Sequence, residues 1–80
     1  MISTKGRYAL VIMSYLANNR DRFVSLKEIS ENEDISFKYL EKIMINLNKK
    51  DYFEVARGNN GGYKLKYDNS SYVIGDILRS

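Results

Sequence analysis

The hydrophobic period of this chain changes from helical to strand-like beyond residue 49, and that change constrains the fold more than any other feature. Leu40, Ile43, Met44 and Leu47 fall at i, i+3, i+4 and i+7, which gathers them on one face of a helix. Phe53 and Val55 then alternate with Glu54 and Ala56. After the cluster Gly58, Gly61 and Gly62, Tyr63, Leu65 and Tyr67 alternate with Lys64 and Lys66. Period two gives each strand one apolar and one charged face, and two such strands around a glycine-rich loop predict a β-hairpin. A lone hairpin is marginal in water, so this one must pack on the helices.

The remaining elements follow from caps and spacing. Ser3 or Thr4 can cap a first helix, in which Tyr8, Val11, Ile12, Tyr15 and Leu16 recur at helical spacing until Asn18, Asn19 and Asp21. Phe23 and Val24 suit a short strand. Ser25 with Glu28 has the form of a capping box, each side chain meeting an orphan amide. It opens a short second helix with Leu26 and Ile29 inward, ending near Glu33. A connection of two or three residues leads to Ser36, the expected cap of the third helix. Val73 to Arg79 reads as a final short helix. The order predicts an α+β, mainly α domain spanning residues 1–80. Its expected architecture is a winged helix-turn-helix: a three-helix core, a two-stranded hairpin wing and a short C-terminal helix. The helix-turn-helix is expected at about 25–49 and the wing at about 53–67.

Composition removes several function classes. The chain has no Cys and no His, so thiolate chemistry, the commonest general base and the commonest metal ligands are all missing. The loop from Gly58 to Gly62 lacks the Lys-Ser/Thr ending of a phosphate-binding loop. An enzyme is not expected. Tyr8 to Ala17 is the longest apolar-rich stretch, too short for a bilayer and without the flanks of a signal peptide, so a cytoplasmic location and no membrane partner are expected. The net charge of +3 is compatible with nucleic acid but does not demand it.

With its apolar stripe inward, the third helix turns Lys38, Glu41, Lys42, Ile45 and Lys49 to solvent as one continuous strip. A helix held across a turn by a partner helix, with a polar face free, suits the DNA major groove. There Lys can donate to guanine or phosphate, Glu41 can accept from cytosine, and Ile45 can meet a thymine methyl. An ordinary solvated helix face has the same composition. Ser36 marks a helix N-terminus, whose unpaired amides attract phosphate, although plain capping explains it equally. At the hairpin tip, Gly58 lets backbone approach another surface closely. Arg57 can enter a narrow minor groove, and Asn59 and Asn60 can donate to phosphates; the same residues also make a simple tight turn. Lys5 and Arg7 flank the start of the first helix, within reach of phosphate or merely solvated. The alternative to DNA binding is a winged helix that docks a protein through the same strip, for which Ile45 is the best support.

The residues also match a known family. Ser3-Thr4-Lys5-Gly6-Arg7-Tyr8-Ala9, Ser25-Leu26-Lys27-Glu28-Ile29, Ile35-Ser36 through Tyr39-Leu40-Glu41, Arg57-Gly58 with Gly61-Gly62-Tyr63 and Leu65, and Gly75-Asp76-Ile77 together resemble the BadM/Rrf-type bacterial transcription regulators over essentially all 80 residues. The resemblance implies sequence-specific binding to double-stranded promoter DNA by a homodimer, in the expected role of a repressor. It places Ser36, Lys38, Tyr39, Glu41 and Lys42 where the family's recognition helix meets DNA, Arg57 where its wing reaches the minor groove, and Thr4 and Lys5 near the backbone. Asp34 and Asp51 stand where the family often has Gly, and Val73 where a capping Thr is usual. Family members are longer. The implied dimerisation and sensor region is therefore expected to be absent here, and an iron–sulfur cluster is expected only if a further C-terminal part supplies cysteines.

Overall fold

The computed structural model describes residues 3–59 and 61–67. Three helices, α1 (Thr4–Ala17), α2 (Leu26–Glu33) and α3 (Phe37–Asn48), precede two antiparallel strands, β1 (Phe53–Ala56) and β2 (Gly62–Leu65). The expected helix over Val73–Arg79 lies outside the described residues.

Each helix starts where a serine can serve it. The hydroxyls of Ser3, Ser25 and Ser36 accept the amides of Gly6, Glu28 and Tyr39 at 3.0, 3.1 and 3.3 Å, which satisfies one orphan donor per helix. Ser3 rather than Thr4 is therefore the cap of α1. The capping box at α2 is only half formed. Ser25 plays its part, but the Glu28 carboxylate is taken by Arg22 and Tyr15, charge-assisted partners stronger than a neutral amide.

Asp34 ends α2 in the left-handed conformation, with φ 55° and ψ 49°. Its amide and that of Ile35 both return to the Ser30 carbonyl, and the Ser30 hydroxyl donates to the Ile35 carbonyl. This reversal takes the chain into α3 within three residues, Asp34 to Ser36. Asp51, between α3 and β1, likewise has a positive φ, 60°. Asp tolerates this region better than most residues because its short polar side chain can bond locally.

The core lies between the helices and the base of the hairpin. Leu40, Ile43, Met44 and Leu47 are all buried, as the stripe on α3 predicts. On α1 the face is turned slightly from the expected one. Ala9, Ile12, Met13 and Leu16 are buried, whereas Tyr8, Val11 and Tyr15 are only partly covered at its edge. Each tyrosine has a hydroxyl that favours a wet boundary.

The hairpin pairs Phe53 with Leu65 and Val55 with Tyr63. Its expected buried face holds only at its base. Phe53 and Leu65 are buried, but Val55 is 52 % exposed and Tyr67 45 %. Val55 stands next to the tip, whereas Tyr67 lies past the end of β2 on the opposite side of the Phe53–Leu65 pair, so the apolar alternation outruns the buried core in both directions. Tyr63 also exchanges both backbone hydrogen bonds with Val24, at 2.9 and 2.8 Å. The short strand expected at Phe23 and Val24 is thus a single bridging residue. Lys64 adds a cation–π contact, its Nζ 5.4 Å from the Phe23 ring centre.

Gly62 makes this seating possible. A Cβ there would lie 2.3 Å from the Val24 carbonyl oxygen, at a φ of +150° that side chains rarely adopt. Gly62→Ala is expected to unseat the hairpin and to destabilise the fold by about 2 kcal/mol or more. Thermal unfolding followed by circular dichroism would measure it; an unchanged midpoint would show that the Val24 bridge contributes nothing.

Candidate nucleic-acid interface

Rotation of α3 about its axis is fixed by its buried stripe, so the opposite face is fixed as well. Lys38, Glu41, Lys42, Ile45 and Lys49 are all exposed. Ser36 and Phe37 are exposed at the N-terminus of the helix. Tyr39 is half-buried, its ring standing edge-on to Tyr8 at 5.3 Å and 76°, and it links α3 to α1.

Two grooves border this face. One, of about 460 Å³, is lined by Lys38, Glu41, Lys42, Ile45 and Asn48 with Leu26, Met44 and Tyr63 beneath. The other, of about 310 Å³, runs between the start of α2, α3 and the hairpin, with Ser25, Lys27, Phe37, Glu41, Gly58 and Gly61 among its walls. Leu26, Glu41 and Tyr63 belong to both. The strip on α3 and the glycine loop of the wing therefore share one side of the molecule.

Of the residues marked in the sequence, Arg57, Gly58 and Asn59 are exposed at the wing tip, where Gly58 has φ +103°. Asn60 lies outside the described residues. Thr4 is exposed and Lys5 half-buried in the first turn of α1. Lys27, exposed in the wing groove, was not singled out from the sequence. Its only signal is its place in the first turn after the Ser25 cap.

A polar brace that the sequence did not reveal holds α2 against α1. Arg22 grips Glu28 with two parallel bonds of 2.8 and 2.7 Å and reaches the Asn19 side chain. The Tyr15 hydroxyl donates to the same carboxylate at 2.7 Å, while Asn32 donates to the Tyr15 oxygen. The Arg22 guanidinium is the main cause that holds the Glu28 carboxyl down at about 2, with help from Tyr15. The same carboxylate pushes the Tyr15 hydroxyl above its ordinary value.

A carboxyl lowered by folding contributes stability that is full above its unfolded value of 4.5 and fades as pH falls toward about 2. Glu28→Gln should therefore lower the melting temperature near neutrality and flatten its pH dependence between those values. Melting curves across that range are the check, and parallel curves for the two proteins would show that the brace does not couple to folding.

Thiolate and imidazole ligation of a metal is closed to this chain. The sequence lacks Cys and His, and no three acidic side chains cluster among the described residues. Nor, among them, is any helix long and apolar enough to cross a membrane.

Comparison with known proteins agrees with this architecture. The Rrf2 family model, described as an iron-dependent transcriptional regulator, matches residues 2–80. The chain is 39 % identical over 82 residues to the HTH-type transcriptional regulator IscR of Cereibacter sphaeroides, covering 99 % of this chain and 53 % of that protein. It is 39 % identical to CymR, the global cysteine regulator of B. subtilis, whose solved structure superposes with a TM-score of 0.90 over 99 % of this chain and 62 % of that one. T. potens IscR superposes with a TM-score of 0.86 at 38 % identity, over 99 % of this chain and 58 % of that one. The chain thus spans little more than half the length of these relatives, which are transcriptional regulators and not enzymes. With its three helices, two-stranded wing and family match across nearly every residue, this chain belongs to the Rrf2 family of winged-helix transcriptional regulators.

Proposed function

We propose that this chain binds double-stranded promoter DNA, with α3 in the major groove and the wing tip over the adjacent minor groove. One observation carries the reading: the exposed Lys38, Glu41, Lys42 and Ile45 of α3 and the wing-tip glycines Gly58 and Gly61 line two adjoining grooves. Side chains on such a helix can reach base edges, because the major groove is wide enough to admit it. Lys38 and Lys42 donate to guanine or to phosphate. Glu41 repels phosphate and accepts from the cytosine amino group, so it discriminates among bases more than it adds affinity. The start of α3 at Ser36 offers first-turn amides to a phosphate, and Thr4 and Lys5 lie at a second helix start of the same kind. Arg57 enters the minor groove, while Gly58 and Asn59, with Asn60, let the tip backbone come close.

One such domain covers a half-site. The full-length protein acts as a homodimer whose two recognition helices lie about 34 Å apart, one helical turn of DNA, and represses by occupying the promoter. The family's iron-dependent description and the cysteine regulator among the relatives suggest signals that this chain's own residues, with neither Cys nor His, are not equipped to bind through thiolate or imidazole ligands. The present chain alone binds weakly.

Fluorescence anisotropy with a random-sequence duplex at two salt concentrations tests this reading. Binding should weaken steeply with salt as counterions are released. Lys42→Ala should reduce the slope of log affinity against log salt by about one, and Arg57→Ala should lower affinity about tenfold at low salt. If both variants bind like the parent chain, the interface lies elsewhere.

A further inference from the structure

Ile45 is the residue on the α3 strip that duplex binding through charge does not explain. It is 62 % exposed, yet its neighbours one turn away on the strip are Glu41, Lys42 and Lys49. Nothing local favours it there: a β-branched residue is a poorer helix former than the lysines and glutamate around it, and its apolar surface stands in water. Its groove is rimmed by Lys38, Glu41, Lys42 and Asn48 over a floor of buried Leu26 and Met44 and half-buried Tyr63, so Ile45 is the apolar side chain among the exposed residues of that groove, and the other exposed ones are polar or charged. Protein docking through apolar burial wants a patch of several hundred Å². Phe37, the other exposed apolar side chain on α3, is two turns away in the wing groove with Gly58 and Gly61.

The major groove presents one apolar feature among its hydrogen-bonding edges, the C5-methyl group of thymine. We propose that Ile45 is a specificity-determining residue that packs against a thymine methyl in the major groove; this rests on the duplex-binding reading above. The stiff χ1 of a β-branched side chain on a helix leaves little freedom to lose on contact. Ile45 lies one turn beyond Glu41, about 6 Å along the helix axis, or about two base-pair steps of 3.4 Å. The two side chains therefore read different base pairs, Glu41 by hydrogen bonding and Ile45 by shape.

The test is in vitro selection at low salt from a random duplex pool with the 80-residue chain. The selected duplex is then resynthesised with deoxyuridine replacing thymidine, one position at a time. This substitution removes the methyl group and leaves base pairing intact. At one position the parent chain should lose about fourfold in affinity, the worth of one methyl moved from water to an apolar contact. Ile45→Ala should bind the thymine and uracil duplexes equally at that position, and Ile45→Val should retain part of the difference. Because each comparison is a ratio for one protein, altered folding of a variant cannot imitate the result. If the parent chain selects a sequence and binds it with salt sensitivity, yet tolerates uracil everywhere, the thymine contact is wrong and the DNA reading survives. Equal sensitivity in Ile45→Ala likewise overturns the contact and leaves the apolar side chain for a protein partner. If no sequence is enriched although binding weakens with salt, no thymine is read and this proposal fails while the DNA reading stands; if binding also ignores salt, the DNA reading itself fails.

Discussion

Burial of one face of α3 is the constraint on which the rest depends. Leu40, Ile43 and Leu47 are no more than 1 % exposed, and each is held by close-packed neighbours rather than by a directional bond. Rotating α3 by even one residue position, 100°, would expose part of this stripe and bury charge, at several kcal/mol for each large side chain displaced. The helix therefore cannot roll. A recognition surface needs that rigidity, because its side chains must reach a partner at defined positions without further ordering. The strip from Lys38 to Lys49 is positioned by the residues on the buried face of the same helix.

Two further devices convert this helix into a surface of defined shape. The left-handed Asp34 and the bonds around Ser30 set the angle between α2 and α3. Glycine at position 62 lets β2 press its backbone against Val24, which ties the wing to the segment just before α2. The wing groove is closed on one side by α3 and on another by the start of α2. Its dimensions thus depend on backbone contacts at both ends. The Arg22–Glu28–Tyr15 brace secures the outer flank of α2. It is partly exposed, so its worth is modest near neutral pH and screened by salt.

Much of this was legible in the chain because the signals are local. Serine caps, the α3 stripe and the tip glycines are read from neighbours within four positions, where helix and turn geometry act directly. The positive φ values of Asp34 and Asp51 follow from the same local tolerance. Less legible was anything that depends on what lies across the fold. Val55 follows the strand alternation faithfully, but alternation states only which residues share a face, not how far the opposing core extends. Glu28 was matched to Ser25 by spacing, yet Arg22 competes for its carboxylate with a stronger interaction. On α1 the choice between neighbouring faces turned on small Ala9 and pliant Met13 fitting the interior better than Tyr8 and Tyr15.

The sequence by itself determined the kinds of element, their order, the residues that start and stop them and the chemistry excluded by lacking Cys and His. These are matters of local propensity, periodicity and composition. Only the tertiary structure decided that the α3 strip and the wing tip open onto adjoining grooves, that Lys27 joins them and that Ile45 stands exposed above a buried apolar floor within a polar rim. The reason is physical: a shared surface is made by packing segments distant in sequence, and no local pattern records the angle at which they meet.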